Sequence, residues 1–203
     1  MMVDVIRSVT FPFTSVKNFV SFLIFAFLNT LWFFLLPVII VNGYAVKLIR
    51  SAVEGEKDAP AWPGLNLSEW GYILMHGFFY TVAVLIYLIV PFFIAYLGTA
   101  GNFSLWLVLL SLLVFLAVIF VLPMALVNYA ATESFIEAFN IPEIFRRIFA
   151  NILQYLLVYA ISAALFITAL MLSLRMPILA GLILAYPTVF ALHAFGQIMA
   201  ETQ

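Results

Sequence analysis

The sequence predicts an all-α integral membrane protein, a five-span helical bundle that forms a single transmembrane domain over residues 1–203. Three observations predict it: 67% of the residues are hydrophobic, only 8% are charged, and the apolar residues form long blocks with few breaks. A soluble domain usually has about 25% charged residues. Hydrocarbon, rather than water, is therefore the expected solvent around most of the chain.

The net charge and the cysteine content exclude some classes of partner and some kinds of site. The net charge is −1 and the chain has no cysteine. A nearly neutral chain has no basic field to attract nucleic acid. Without cysteine there can be no disulfide, cysteine metal site or thiol catalysis. We expect membrane lipids as partners, together with a protein partner or further copies of the chain, and we expect no cofactor.

Two segments are predicted to lie at the membrane surface. The first is the N-terminal lead, where Val5, Val9 and Phe13 can share one helical face. The second is an amphipathic helix at residues 133–150, between spans three and four, whose apolar residues recur at helical spacing. Segments of this kind rest their apolar face on the acyl chains and keep their polar face in water.

The first span is the element with two interpretations. The apolar block at about residues 19–46 is longer than the roughly 20 residues that cross a hydrocarbon core. We expect one tilted span with a kink at Pro37. The alternative is a re-entrant pair that turns back near Asn29 and Thr30, in which each half is too short to span the membrane alone.

A cytoplasmic loop at residues 47–70 separates the first span from the second. It begins as a continuing helix, and the prolines and glycine of residues 60–64 end any helical structure. Asn66 and Glu69 then have the spacing of a capping box that starts the next helix. The remaining spans are expected at about residues 72–97, 105–127, 152–174 and 178–199.

Four side chains are expected to contact lipid headgroups: Trp62, Trp70, Arg146 and Arg147. Tryptophan is enriched at the membrane–water interface, and arginine recognises phosphate groups. Arg147 also follows Glu143 by four residues, which is the spacing of a surface ion pair on a helix.

The distribution of positive charge predicts the orientation. Five of the eight Lys and Arg residues lie in the two long loops, and such residues favour the cytoplasm. We therefore expect the long loops and the C-terminus on the cytoplasmic side of the cell membrane. With five spans the N-terminus lies outside, whereas a re-entrant first block places it inside and raises the count on that side to seven.

Three segments of the sequence echo one another. Each places a proline in a span, then an Asn or His five or six residues later, then a small residue. The segments are LPVIIVNGYA at 36–45, LPMALVNYAA at 122–131 and YPTVFALHAF at 186–195. The echo suggests repeated hairpins of common origin, as many membrane bundles have.

The echo also predicts a polar cluster. Asn42, Asn128 and His193 fall at similar depth near the cytoplasmic ends of their spans, His76 approaches from the same side, and Gln197 follows His193 by one turn. One interpretation is a pocket for a small molecule or a lipid headgroup, since polar residues inside a membrane are often functional. The other is hydrogen bonding between packed helices.

No catalytic, metal or cofactor site is predicted. The sequence has no glycine-rich phosphate loop after a strand and no nucleophile elbow. It has only two histidines, and no carboxylate lies deep in a span to complete a metal site. The middle of each span is also free of charged residues, which argues against a proton relay or a charge-lined pore.

Three stretches carry a family resemblance: FPF at 11–13, NGYAVKLIRSAVEGEKDAPAWPGLNLSEWGYILMHGF at 42–78, and NYAATESFIEAFNIPEIFRRI at 128–148. With them the chain resembles an uncharacterised, mainly archaeal family of multi-pass membrane proteins, the domain of unknown function number four-zero-one-three. The sequence departs from that pattern by the run APAWPGLNLSEW, where a shorter and more acidic run is expected. The resemblance implies the architecture and a prokaryotic cell membrane, and it implies no catalytic residue.

These observations favour a non-catalytic membrane protein that acts as a scaffold or an accessory subunit. The alternative is a passive carrier or channel for a small neutral or lipidic ligand, which would use a cytoplasm-facing polar vestibule. A third and weaker interpretation is a membrane-embedded enzyme that acts on lipid, which would need an acid–base pair beside its substrate.

Overall fold

The computed structural model describes residues 4–100 and 104–202. This part of the chain forms an all-α bundle with eight α-helices, and it contains no β-strand. The helices are α1 (Val5–Thr10), α2 (Val16–Thr30), α3 (Leu35–Val53), α4 (Leu67–Thr99), α5 (Leu105–Thr132), α6 (Ile141–Ala150), α7 (Ile152–Arg175) and α8 (Ala180–Thr202).

Five of these helices, α3, α4, α5, α7 and α8, are long and apolar enough to cross a membrane. This number confirms the predicted five-span bundle. A sixth candidate consists of α1 with its following 3₁₀ turn and α2, which are bent by 81° relative to each other. The second span is longer than predicted, since α4 starts at Leu67 rather than near residue 72 and ends at Thr99.

The first apolar block is two helices, which corrects the expected single span over residues 19–46. The chain leaves α2 at Thr30, and the N–H of Leu31 closes this end on the Leu28 carbonyl at 3.0 Å. After a short turn, α3 begins at Leu35. Pro37 therefore lies in the first turn of a helix, where the missing N–H costs nothing and no kink results.

The helix α2 runs back alongside α3, as the alternative interpretation expected. At one end, the Ala59 N–H donates to Asn18 Oδ1 at 2.7 Å. In the middle, the rings of Phe25 and Tyr44 lie 6.2 Å apart. At the other end, Asn29 Nδ2 donates to the Gly181 carbonyl at 2.9 Å, which fixes the turn against the start of α8.

The N-terminal segment consequently lies on the same side of the bundle as the long loops, and not on the opposite side as a single first span required. Arg7 Nη2 donates to the carbonyls of Gly55 and Glu56 at 3.3 and 2.6 Å, just beyond the end of α3. Both carbonyls lie in the loop that follows α3, whose own end is closed by the N–H groups of Glu54, Gly55 and Glu56. The arginine thus anchors α1 to the start of this loop.

The most buried helices are α3 and α8. Half of the spanning window of α3 and 61% of that of α8 are buried, against 17% for α4 and 11% for α5. The core therefore follows α3 and α8, while α4, α5 and α7 expose most of their apolar surface. Such exposure fits helices whose outer face is solvated by hydrocarbon.

Glycines allow the closest helix contacts. A Cβ on Gly43 would lie 2.0 Å from the Ile73 carbonyl oxygen, and one on Gly77 would lie 1.9 Å from the Ile39 carbonyl oxygen. The backbones of α3 and α4 therefore touch at this point. Small residues at membrane helix interfaces permit this approach.

The predicted amphipathic element between spans three and four is a 3₁₀ turn over Phe135–Phe139 followed by α6. The Asn140 side chain caps α6, since its Oδ1 accepts from the Glu143 N–H at 3.4 Å. Ile144 and Ile148 are fully buried against the bundle, whereas Phe149 on the other face is exposed. The helical, two-faced character predicted from the sequence is therefore present.

Candidate functional site

The five residues of the predicted polar cluster fall into separate hydrogen-bond groups. Asn42 Nδ2 donates to Thr81 Oγ1 at 2.9 Å, which joins α3 to α4. Asn128 Nδ2 donates to the Glu137 carbonyl at 2.7 Å, which joins α5 to the following 3₁₀ turn. Of the five predicted residues, only His193 and Gln197 are bonded to each other.

The His193 group joins the first helix to the last. His193 Nδ1 lies 3.0 Å from Ser8 Oγ and 3.1 Å from Gln197 Nε2. The Asp4 N–H donates to Gln197 Oε1 at 2.9 Å, and the Phe11 ring stacks on the imidazole at 4.2 Å. Ser8 and His193 are 0% and 1% exposed, so the Ser–His pair is sealed from solvent on every side.

The second histidine belongs to a chain of aromatic and charged groups. His76 Nδ1 lies 2.9 Å from the Tyr129 hydroxyl, and the Tyr72 ring lies 4.2 Å from the imidazole. The Tyr72 hydroxyl donates to Glu133 Oε1 at 2.7 Å, and the same carboxylate is paired with Arg50. This group connects the ends of α3, α4 and α5 that lie beside the long loops, which we call the loop side of the bundle.

Glu133 has an unusual backbone conformation at the end of α5. Its φ is 55°, and among the described residues it is the one non-glycine with a positive φ. Its N–H closes the helix on the Tyr129 carbonyl at 2.7 Å. Non-glycine residues adopt this left-handed conformation at a cost in free energy. The side-chain bonds from Arg50 and Tyr72 to Glu133 offset this cost.

A polar cleft of about 470 Å³ lies beside this group on the loop side. Four of its five charged residues are paired with one another: Lys47 Nζ lies 3.1 Å from Glu69 Oε2, and Arg50 Nε lies 3.2 Å from Glu54 Oε1. The Lys47–Glu69 pair joins α3 to the start of α4, and the Arg50–Glu54 pair stays within the C-terminal turn of α3. None of the five predicted cluster residues lines this cleft.

Of the two arginines predicted to contact headgroups, Arg146 faces outward and Arg147 faces the bundle. Arg146 is 65% exposed at its side chain, whereas Arg147 is 11% exposed, and both donate to Glu143. Arg147 also reaches the Met199 sulfur on α8. These guanidinium groups, with Arg146 contributing most, lower the pKa of the Glu143 carboxyl to about 2.

The two tryptophans are held by the protein itself. The Trp62 ring stacks on Tyr44 with centroids 4.0 Å apart, and its indole N–H is buried without a hydrogen-bond partner among the described residues. Trp70 Nε1 donates to the Gly64 carbonyl at 2.9 Å. Both rings therefore shape the loop of residues 54–66.

An apolar cavity lies between α5, α7 and α8, and Ile49 of α3 and Tyr80 of α4 complete its wall. It has a volume of about 570 Å³, and none of the five predicted cluster residues lines it. Its wall is apolar except for the hydroxyls of Tyr80, Tyr159, Ser162 and Thr188. The cavity is thus a hydrocarbon-lined space within the depth of the spans, unlike the expected polar vestibule.

Sequence reasoning missed the partners that complete these groups: Ser8, Arg50, Tyr72, Thr81, Tyr129 and Glu133. The four-residue spacing of Tyr72 and His76 on one helix face was a usable signal. Within the described residues, no group of three or more His, Asp or Glu side chains could hold a metal ion.

The fold and these internal hydrogen-bond groups define the class as a multi-pass, all-α membrane protein. A family model described as "Protein of unknown function (DUF4013)" matches residues 25–178. The chain therefore belongs to this family, which confirms the resemblance seen in its sequence. No curated protein and no solved structure is significantly similar to the chain.

Proposed function

We propose that the protein is a non-catalytic scaffold or accessory subunit of the cell membrane. The observation that carries this proposal is the use of the polar side chains inside the bundle. Asn42, His76, Asn128 and His193 all bond to a neighbouring element rather than to an open passage. Interhelical hydrogen bonds of this kind fix helix packing in membranes.

The loop side supports the same proposal, because it is built as one connected unit. Arg50 and Glu133 join α3 to α5, Lys47 and Glu69 join α3 to α4, and Arg7 ties the N-terminal segment to the end of α3. A surface connected in this way keeps a fixed shape. A fixed shape is what a partner subunit needs in order to dock without an ordering cost.

We also propose that the long loops and the C-terminus face the cytoplasm. Arg7 lies beside Gly55 and Glu56, and Lys17 precedes Asn18, which contacts Ala59. Seven of the eight Lys and Arg residues thus belong to the long-loop side, and Arg175 is the exception. An excess of this size favours the cytoplasm for that side.

The scaffold proposal can be tested with single cysteines, since the chain has none of its own. Leu65 is fully exposed in the long loop, whereas Ala130 is fully buried. In native membranes a short thiol-reactive crosslinker should join Leu65→Cys to one discrete protein or a second copy, and should give no product with Ala130→Cys. In parallel, proteoliposomes should release trapped glycerol no faster than protein-free vesicles.

The opposite pair of results would contradict the scaffold proposal. Rapid glycerol release, together with an uncrosslinked Leu65→Cys protein, would favour a channel.

A second candidate function, binding or carriage of a lipidic ligand, is favoured by the apolar cavity between α5, α7 and α8. Its volume of about 570 Å³ falls within the range of about 300–1,000 Å³ that is usual for ligand pockets.

A further inference from the structure

The apolar cavity has the geometry of a side pocket within the bundle. The helix α5 packs mainly against α4, and α7 packs mainly against α8, so α5 and α7 form opposite walls. At one end the walls are joined, since the Tyr155 hydroxyl donates to the Phe120 carbonyl. Farther along α7, Phe166 and Ile167 line the cavity and are also exposed on the outer surface. The pocket can therefore be entered sideways from the hydrocarbon.

The chemistry of the wall selects an apolar occupant. Leu122, Pro123, Leu126, Ala163 and Leu192 are among the lining residues. Only four of the sixteen lining residues carry a hydroxyl, and cavities lined chiefly by aliphatic and aromatic groups bind apolar molecules rather than water. A hydrocarbon chain from the surrounding membrane meets this requirement without any opening to water.

One polar group on the wall is not satisfied by the protein. Ser162 lies near the middle of α7, is 6% exposed and lines the cavity. Its Oγ is buried and has no hydrogen-bond partner among the described residues. Thr188, on the same cavity wall, does bond back to the Leu184 carbonyl at 2.8 Å. A buried hydroxyl without a partner is costly, so an acceptor on the occupant would stabilise the complex.

We propose that this cavity binds a lipid-soluble molecule with a hydrocarbon chain and an oxygen acceptor part-way along it, to which Ser162 donates a hydrogen bond. The inference rests on the second candidate function, the binding of a lipidic ligand. It adds the chemical feature that the ligand must carry and the residue that recognises it.

The experiment compares two photoaffinity probes in nanodiscs that contain the full chain. Each probe is a palmitate-length hydrocarbon chain with a diazirine near one end. One carries a ketone at mid-chain, and the other has a methylene group in its place. Both should label peptides from α5, α7 or α8 saturably. The ketone probe should bind about fivefold more tightly, which corresponds to the roughly 1 kcal/mol of a single net hydrogen bond.

The chain offers a matched pair of control variants. Ser162 and Ser173 both lie on α7, are both 6% exposed, and both have an unpartnered buried Oγ, but only Ser162 lines the cavity. Ser162→Ala should remove the preference for the ketone probe while leaving labelling by the methylene probe unchanged. Ser173→Ala should leave the preference intact. Ala163→Trp, which fills the cavity, should abolish labelling by both probes.

The outcomes separate the two levels of the inference. Equal binding of the two probes to the wild-type protein, or an unchanged preference in Ser162→Ala, would overturn the role of Ser162 while the lipidic-ligand function stands. Labelling that does not saturate, or that persists in a folded Ala163→Trp protein, would overturn the cavity as a ligand site and the second candidate function with it.

Discussion

The Arg50 guanidinium is paired with the Glu133 carboxylate, which fastens the C-terminal end of α3 to the C-terminal end of α5. Tyr72 from α4 donates to the same carboxylate at 2.7 Å. One acidic side chain therefore receives bonds from two other helices. It does so from a left-handed backbone position that glutamate rarely occupies.

Removing this charge should loosen the loop side. We expect Glu133→Gln to lower the free energy of unfolding by about 1 kcal/mol, because the pair is partly exposed but has a second hydrogen bond from Tyr72. Thermal unfolding of both proteins in nanodiscs measures this loss of stability. Glu54→Gln is the control, since the bond from Arg50 to Glu54 stays within one helix turn and should cost less than about 0.5 kcal/mol. Equal losses would show that Glu133 has no special role.

The backbone contact between α3 and α4 should tolerate no side chain. Gly77→Ala would place a Cβ 1.9 Å from the Ile39 carbonyl oxygen, so the helices must separate. We expect a loss of about 1–3 kcal/mol in the free energy of unfolding. Gly71→Ala is the matched control in the same helix, because nothing lies within 4 Å of its Cβ position. A stable Gly77→Ala protein would show that this packing is wrong.

The N-terminal helix should detach when its buried bond is removed. Ser8→Ala deletes the hydroxyl on α1 that contacts His193 and Gln197, and these two side chains of α8 are then left bonded to each other. The loss of one such hydrogen bond costs about 1 kcal/mol. We expect faster hydrogen exchange over residues 4–13. Thr10→Ala serves as the control, since Thr10 Oγ1 bonds only within its own helix, and unchanged exchange in Ser8→Ala would contradict the docking.

The α6 ion pairs should give a pH-dependent contribution to stability. Arg146 and then Arg147 lower the pKa of Glu143 from 4.5 to about 2 in the folded protein. A lowered folded-state pKa stabilises at pH values above the unfolded pKa, and this stabilisation is lost as the pH falls toward 2. The melting difference between the wild type and Glu143→Gln should therefore be constant above about pH 5 and shrink between pH 4 and 2.

The size of this effect should be small, because Arg146 is largely exposed and solvent screens the pair. Melting curves of both proteins across this pH range provide the measurement. A difference that grows on acidification would mean that Glu143 is not stabilised by the two arginines.

Labelling should place the N-terminal segment and the long loop on one side of the membrane. Lys17 and Glu56 are both exposed, as is Met176 at the opposite ends of the spans. In sealed vesicles of known orientation, a membrane-impermeant maleimide should reach Lys17→Cys and Glu56→Cys from the cytoplasmic face and Met176→Cys from the other. Labelling of Lys17→Cys and Glu56→Cys from opposite faces would restore the single first span.

Hydropathy and local signals predicted the parts of the fold that depend on neighbouring residues. The five spans and the helical, two-faced character of α6 follow from apolar length and helical spacing. The turn between α2 and α3 was one of two alternatives, because Asn29 and Thr30 interrupt the apolar block but residues 31–34 are as apolar as a span. The bond from Asn29 to Gly181, 152 positions away, fixes this turn, and local sequence does not predict so distant a contact.

The predicted polar cluster failed to form for a geometric reason. Position along a span gives the depth of a residue but not the direction in which its side chain points. Asn42 faces α4, Asn128 faces the 3₁₀ turn, and His193 faces α1. Equal depth therefore brought only His193 and Gln197 together, because they lie one helical turn apart on a single helix.

The bond between Ser8 and His193 also has a consequence for biosynthesis, since 185 positions separate the two residues. At a synthesis rate of about 5–20 residues per second, the ribosome needs roughly ten to forty seconds to reach the second of them. During that interval the nascent α1 has no α8 on which to dock. Insertion factors or chaperones that shield α1 would act during this interval.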